Sequence, residues 1–274
     1  MDLQPGVRYN LSMNLYILLY PLIGILAGLL SGMLGIGGGV VVVPGLALVF
    51  GHLAVMQGFS MHMAEGTSLA AMIVTAISSI YAHHRYNRVL WPVFLRLLPG
   101  ILVGVTFGAI FASYLPTRVL EIIFGLFVFF IAVRMFLLIK SKPARKLPNW
   151  PWLSLVAFLI GGKSGLLGIG GGAITIPFLT YCNVPMRKAS GTSIACTLPI
   201  AIVGAISFAI MGWKVVVIPY SIGYVYLPAF FGIAIMSLLF APVGAKLSSM
   251  INVTLVKRIF AILLFIVSIK MILF

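Results

Sequence analysis

Two glycine-rich runs contain the residues best suited to bind an anion. The first is Ser31-Gly-Met-Leu-Gly-Ile-Gly-Gly-Gly39 and the second is Ser164-Gly-Leu-Leu-Gly-Ile-Gly-Gly-Gly172. Consecutive glycines let the backbone turn sharply and leave no side chain in front of a ligand. A helix that restarts after such a turn presents unpaired N–H groups and the positive end of its dipole, which favour an anion. The predicted anion contacts in the two turns are Gly37, Gly38, Gly39, Gly170, Gly171 and Gly172. Close packing of helices is the alternative interpretation of these glycines.

A lysine lies one turn before the second glycine break. Lys163 occupies the position that Leu30 has in the first run, and Ser164 follows it. A lysine inside a membrane segment costs about 3 kcal/mol at the centre, so it normally marks a pathway or a charged partner. We therefore predict that Lys163, with Ser164, binds the anion. The alternative is that the Lys163 stem extends its ammonium group to the membrane interface.

A Gly-Thr-Ser tripeptide also occurs twice. Gly66-Thr-Ser68 and Gly191-Thr-Ser193 lie at the start of the apolar segments 66–82 and 190–211. Their hydroxyl groups are Thr67, Ser68, Thr192 and Ser193, and we predict that they donate hydrogen bonds to an oxyanion. Capping of a helix N-terminus is the alternative interpretation of the same residues.

One carboxylic acid lies at a position suited to exchange a proton or bind sodium. Glu65 directly precedes the first tripeptide, where the second half of the chain has Ser190. An acid at such a position is a candidate for coupling to a proton or sodium; the alternative is a solvated loop or cap residue. The sequence predicts no metal site and no cofactor, and it shows no catalytic set. Cys196 is the one candidate nucleophile near the predicted site, and no base or metal ligand accompanies it. We therefore expect that the protein is not an enzyme.

The elements that carry these residues are membrane helices. The chain has 274 residues, of which 62% are hydrophobic and 8% charged, which predicts an all-α polytopic membrane protein of about ten segments in the lipid bilayer. The segments 39–51 and 172–182 are shorter than the ~20 residues that a crossing needs, so crossing and re-entry both stay open. The net charge of +15 lies scattered in short loops. That pattern is typical of a positive-inside bias and not of nucleic-acid binding.

The chain divides into two related halves. We predict a first repeat at 1–139, a basic cytoplasmic linker at 140–150 and a second repeat at 151–274. Residues Gly28–Leu46 match Gly161–Leu179 at an offset of 133, and the tripeptides match at 125. Five segments per half make the second repeat inverted relative to the first. With the linker in the cytoplasm, the positive-inside rule places both termini outside.

The doubled motif resembles the TauE/SafE sulfite-exporter family. Gly-x-x-Ser-Gly-x-Leu-Gly-Ile-Gly-Gly-Gly occurs in each half, each copy is followed by Pro44 or Pro177, and Gly-Thr-Ser follows later. The resemblance implies a bacterial inner-membrane protein that moves sulfite, organosulfonates or other small sulfur-containing anions. We expect a secondary transporter, acting as an exporter by alternating access at the broken helices. The alternatives are a passive anion channel and a transporter of another small anion.

Overall fold

The computed structural model describes residues 18–34, 37–137, 147–216, 218–247 and 253–273. Within these ranges the fold is all-helical apart from one short hairpin. Strands β1 (Ser221–Ile222) and β2 (Val225–Tyr226) pair antiparallel before the ninth helix, and a 3-10 helix (Ala54–Phe59) precedes the third. The ten described α-helices are α1 (Leu19–Leu34), α2 (Gly39–His52), α3 (Ser60–Arg85), α4 (Trp91–Tyr114), α5 (Thr117–Phe136), α6 (Trp150–Leu167), α7 (Gly172–Tyr181), α8 (Met186–Gly212), α9 (Leu227–Leu247) and α10 (Val253–Leu273).

The surface of the helix bundle is apolar and its interior contains polar groups. Six of the described helices are long and apolar enough to cross a membrane. They include α3, α4, α5, α6 and α8 in full and Leu227–Gly244 of α9. Phe107 and Ile266 are 59% and 63% exposed, whereas Glu65 and Ser193 are fully buried. Water would disfavour that distribution and hydrocarbon favours it. The prediction of an all-α polytopic membrane protein is confirmed, and the number of crossings stays a prediction.

The two helices that follow the glycine runs are short. The 14 residues of α2 and the 10 residues of α7 rise about 21 Å and 15 Å at ~1.5 Å per residue, less than the ~30 Å of a bilayer core. Each contains a proline, Pro44 or Pro177, within its length. The helices coincide with the predicted short segments 39–51 and 172–182. Each therefore supplies a half-length element that begins at a glycine turn.

The helices that contain the Gly-Thr-Ser tripeptides begin earlier than the apolar segments suggest. Helix α3 begins at Ser60 and α8 at Met186, with Phe59 and Pro185 as their N-caps. The tripeptides therefore lie inside helices, so their hydroxyl groups do not cap the helices that contain them, and Glu65 is a buried helical residue and not a solvated loop residue. Hydropathy locates the apolar part of a helix, whereas the backbone hydrogen bonds of these two helices continue through polar residues at their ends.

The first and fourth helices of the two halves pack in a reciprocal pattern. Helix α1 packs against α9, and α6 packs against α4. A Cβ built on Gly28 would lie 2.8 Å from the Cα of Ser237, and one built on Gly161 would lie 3.0 Å from the Cα of Ile101. Gly28 and Gly161 are 133 positions apart, which is the offset between the two glycine runs. Their partners Ile101 and Ser237 are 136 positions apart, which is also the offset between Gly108 and Gly244. Each half therefore packs its first helix against the fourth helix of the other half.

The centre of the bundle is formed by α3 and α8, which pack against each other. Helix α3 also contacts α2 and α9, and α8 also contacts α7 and α4. The predicted linker, residues 140–150, lies outside the described residues except for 147–150.

Candidate functional site

The first glycine turn joins α1 to α2 through a left-handed glycine. Gly37 has a φ of +80°, which a residue with a side chain rarely adopts. Gly38 is the N-cap of α2, and no side chain caps the helix there. Its carbonyl accepts hydrogen bonds from the N–H groups of Val41 and Val42 at 3.0 Å.

The second turn joins α6 to α7 with its left-handed glycine earlier in the run. Gly168, with a φ of +63°, ends α6, and its N–H donates to the carbonyl of Ser164. Gly171 is the N-cap of α7, again with no side-chain cap. The two helices that restart at these turns thus both begin with glycine and without a capping side chain.

The two turns meet in the middle of the bundle. A Cβ built on Gly37 would lie 3.4 Å from the Cα of Gly170, its counterpart in the second run. A Cβ built on Gly39 would lie 2.8 Å from the carbonyl oxygen of Gly168. A side chain at Gly39 would overlap that oxygen, and at Gly37 the positive φ disfavours any residue except glycine. The structure therefore brings together Gly37, Gly39 and Gly170 of the predicted site, whereas Gly38 packs on Ala27 and Gly171 beside Thr175.

A small cavity adjoins the first turn. The space that the centre of a water-sized sphere can occupy in it is about 10 Å³. That is room for about one water molecule. Hydroxyl groups supply most of its polar lining. The lining residues are Ser31, Gly37, Gly38, Met72, Thr75, Ala76, Ser79, Ile194 and Thr197.

Glu65 and Ser68 lie against the second turn, although both belong to the first half of the chain. The Ser68 hydroxyl donates to the carbonyl of Gly168 at 3.0 Å. A Cβ built on Gly168 would lie 2.5 Å from the Cα of Glu65. Both carboxylate oxygens of Glu65 are buried without a hydrogen-bond partner among the described residues. The coupling candidate therefore lies directly at a helix break.

Three hydroxyl groups, one each on α6, α7 and α8, are buried without a partner in the described part of the chain. They are those of Ser164, Ser193 and Thr175, all with no exposed surface. Buried hydroxyls normally bond to protein or to ordered water. These groups are therefore available to donate to a ligand, and two of them, Ser164 and Ser193, are residues of the predicted site.

Thr67 and Thr192 have a different, structural role. The Thr67 hydroxyl accepts a hydrogen bond from the N–H of Tyr226, which directly precedes α9, at 2.9 Å. The Thr192 hydroxyl accepts one from the N–H of Leu90, which directly precedes α4, at 2.9 Å. Each threonine thus holds the start of a helix in the other half of the chain. Neither residue lines the cavity at the first turn.

Lys163 points toward α5. Its Nζ lies 4.2 Å from the centroid of the Phe127 ring and is buried without a hydrogen-bond partner among the described residues. Such a contact between an ammonium group and a ring face is attractive. Lys163 does not line the cavity at the first turn, so a role in anion binding stays a prediction.

Seven of the nine lining residues were not predicted from the sequence, and four of them, Met72, Thr75, Ser79 and Thr197, lie close to the turns or on the Glu65 side of α3. Thr75 and Ser79 line the cavity from α3, and Met72 and Thr197 line it where the turns meet. Two sequence signals could have identified some of them. Glu65, Met72 and Ser79 are spaced by seven residues, which puts them on one face of a helix. Met72 also matches Thr197 at the tripeptide offset of 125. Within the described ranges, no group of three or more His, Cys, Asp or Glu is placed to hold a metal ion.

Comparisons with known proteins give the chain a family. The family model "Sulfite exporter TauE/SafE" matches residues 20–271. A "Probable membrane transporter protein" of Haemophilus influenzae is 36% identical over 239 residues, which are 86% of this chain and 90% of the relative. A protein of similar description from Methanocaldococcus jannaschii is 28% identical over 224 residues, 80% of this chain and 81% of the relative. No solved structure matches the chain.

The family match includes both glycine turns, both Gly-Thr-Ser tripeptides and the six long apolar helices. The chain therefore belongs to the sulfite exporter TauE/SafE family of membrane transporters.

Proposed function

We propose that the protein is a secondary transporter that exports small sulfur-containing anions, such as sulfite or an organosulfonate, across the bacterial inner membrane. The observation that carries the proposal is the meeting of the two glycine turns, Gly37 against Gly170, beside a small cavity to which four hydroxyl residues contribute. Two helices, α2 and α7, begin there without capping side chains. Their free N–H groups and dipoles favour an anion between them.

The polar groups around the turns suit weak anion binding. Ser164, Ser193 and Thr175 offer neutral donors that no described residue engages, and Lys163 adds one buried amino group on α6. Transport requires that a bound ion also leaves, so neutral donors suit a carrier better than a cluster of arginines. This donor set supports a small oxyanion as the substrate class.

We propose that the two halves are inverted repeats. The reciprocal packing of α1 on α9 and α6 on α4 supports a two-fold relation between the halves. Arg85 ends α3 and Arg187 begins α8, the third helix of each half. If both arginines face the cytoplasm, as the positive-inside rule requires, the two helices run in opposite directions. The same rule puts the basic linker inside and both termini outside.

The size of the cavity supports alternating access over a permanently open channel. The cavity has a volume of about 10 Å³, which is too small for sulfite. Passage of an anion therefore requires that the two turns move apart. Movement of one half relative to the other would open the site to each side in turn. A passive anion channel is the alternative function.

Glu65 is the proposed coupling residue. Its carboxyl group is buried against Gly168, at the junction of α3 with the second turn. Binding of a proton or a sodium ion there would compensate a charge that the described residues leave unpaired. The coupling ion thus acts on the same turn that contacts the anion.

A binding screen with purified protein tests the substrate class. The thermal unfolding midpoint is measured in detergent with sulfite, sulfate, thiosulfate, taurine and sulfoacetate, with chloride as the ionic-strength control. A ligand at a hundred times its Kd stabilises the folded state by about 2.7 kcal/mol. We expect sulfite or sulfoacetate to raise the midpoint above the chloride value. Equal midpoints in all six salts would contradict the proposal.

A further inference from the structure

One face of α3 presents three buried residues at regular spacing. Glu65, Met72 and Ser79 follow one another at intervals of seven residues, which is nearly two helical turns, so they lie on the same side of the helix with about 10 Å between successive residues. The carboxylate of Glu65 and the hydroxyl of Ser79 are buried, and neither has a hydrogen-bond partner among the described residues. Buried polar groups almost always bond to protein or water. The face thus carries polar groups in need of a partner on both sides of Met72.

Met72 separates these two polar positions at the point where the glycine turns meet. Its Sδ lies 3.1 Å from a Cβ built on Gly39, 3.5 Å from one on Gly170 and 3.9 Å from one on Gly37. The sulfur therefore contacts the glycine turns of both halves. The cavity residues Thr75 and Ser79 lie on one side of it along α3, and Ser68 and Glu65 lie on the other.

Thr197 occupies the matching place in the second half. It is the counterpart of Met72 at the tripeptide offset of 125. Its Cγ2 and Oγ1 lie 2.9 Å and 3.1 Å from a Cβ built on Gly170, and its hydroxyl donates to the carbonyl of Ser193 at 3.1 Å. Met72 and Thr197 both line the cavity. The two halves thus place one thioether and one hydroxyl at the junction of the turns.

We propose that Met72 and Thr197 form the constriction of the transport pathway, and that this pair sets the size of the anion that passes between the two glycine turns. The inference rests on the proposed function and extends it to a path along the Glu65–Met72–Ser79 face of α3. Methionine has three rotatable bonds and no branch, so its side chain swings aside at little cost. The Thr197 hydroxyl donates to the Ser193 carbonyl at rest, and rotation about its Cα–Cβ bond would turn the same O–H toward a passing oxyanion, without a fixed charge.

Substitution of Met72 tests the size of the opening. Met63 is the matched control, because it is a fully buried methionine of the same helix that does not line the cavity. Sulfite and the bulkier sulfoacetate are measured separately as fluxes into proteoliposomes. We expect Met72→Ala to raise the ratio of sulfoacetate to sulfite flux by about tenfold, the usual effect of methylene groups removed from an apolar pocket. Met63→Ala is expected to keep the wild-type ratio. An unchanged ratio in a folded, monodisperse Met72→Ala variant would overturn the proposal.

Thiol labelling tests the same position without any assumption about the substrate. Met72→Cys and Met63→Cys are made in a Cys182→Ser, Cys196→Ala background and treated in vesicles with a negatively charged methanethiosulfonate. We expect the Met72→Cys thiol to be modified and the Met63→Cys thiol to stay unmodified. If wild-type protein moves neither anion, the proposed function fails. The labelling result still shows whether position 72 is reached by a small anion. A Met72→Cys thiol that is unmodified, or modified no faster than Met63→Cys, would refute the constriction.

Thr197→Val tests the second member of the pair. Valine keeps the shape of threonine and removes its hydroxyl, so we expect the KM for sulfite to rise about tenfold, the value of a lost hydrogen bond to a charged group. Thr106→Val is the control, because Thr106 also donates to its own helix, at 3.0 Å from the Leu102 carbonyl, but is exposed on α4. Equal KM values for the two variants would remove Thr197 from the constriction.

Discussion

Glu65 is a carboxylic acid with no exposed surface and no hydrogen-bond partner among the described residues. If it couples transport to a proton, Glu65→Gln keeps the size of the side chain and removes the proton that it exchanges. We expect the variant to lose accumulation driven by a pH gradient and to keep exchange of anions at equal pH. Glu121→Gln is the control, because Glu121 pairs with Arg118 at 3.4 Å. Accumulation at the wild-type level in Glu65→Gln would exclude Glu65 as the coupling group.

Lys163 has a buried amino group 4.2 Å from the centroid of the Phe127 ring and without a hydrogen-bond partner among the described residues. Lys163→Met keeps the packing of the stem and removes the charge. A hydrogen bond to a charged group is worth about 1.5–3 kcal/mol, so we expect anion affinity to fall about tenfold to hundredfold. Titration of the binding signal measures the change, with Lys214→Met on the exposed α8–α9 connection as control. Wild-type affinity in Lys163→Met would place the anion elsewhere.

The residues of the site were only partly predictable. Gly37 and Gly170 were, because a glycine run that recurs inside two apolar segments indicates a helix break in each of them. Thr67 and Thr192 were expected to contact an anion, and the structure places them on Tyr226 and Leu90. No sequence rule identifies a distant backbone N–H as the partner of a hydroxyl. Met72 is one methionine of 13, and only the approach of the two turns distinguishes it from packing residues.

The threonines of the tripeptides hold the starts of α9 and α4, and this reciprocal role has a measurable consequence. Thr67→Val and Thr192→Val each leave a backbone N–H without its partner. An unsatisfied buried donor costs about 1–3 kcal/mol of folding free energy. We expect both variants to lose stability by similar amounts in thermal unfolding, because the two positions are equivalent in the repeats. A loss in one variant only would contradict the reciprocal arrangement.

The packing of α4 on α6 and of α9 on α1 depends on glycines at equivalent positions. A Cβ on Gly108 would strike the carbonyl of Gly162, and one on Gly244 would strike that of Leu29. Overpacking against backbone costs about 1–3 kcal/mol, so Gly108→Ala and Gly244→Ala should both lower the unfolding midpoint. Gly58→Ala is the control, since nothing described lies within 4 Å of its added Cβ. Midpoints equal to that of Gly58→Ala would show that these close contacts do not limit stability.

The positions of the helices were predictable, and their partners were not. Apolar length and glycine breaks locate α2 and α7 within one or two residues of their ends. The start of α3 lies six residues before the predicted apolar segment, because Ser60, His62 and Glu65 reduce hydropathy without ending a helix. An internal repeat shows that two halves are related, but it does not show that each first helix packs on the other half.

The whole molecule is a bundle in which two similar halves share a centre. The glycine turns touch at equivalent residues, Gly37 and Gly170, so the site belongs to neither half alone. The side chains around it differ between the halves: Glu65 corresponds to Ser190, Lys163 to Leu30 and Met72 to Thr197. In the proposed carrier, the two related halves would form the two alternating openings, and the side chains that differ between them would supply charge and coupling.

Counterflow in proteoliposomes tests the central claim most directly. Vesicles that contain purified protein and a high concentration of unlabelled sulfite are diluted into medium with a trace of labelled sulfite. A carrier that alternates between two sides exchanges one anion for another, so we predict that label accumulates transiently above its equilibrium level and that the initial rate saturates with external sulfite. Label that equilibrates without an overshoot, at a rate proportional to concentration, would contradict alternating access and identify a channel. Uptake equal to that of protein-free vesicles would contradict sulfite transport itself.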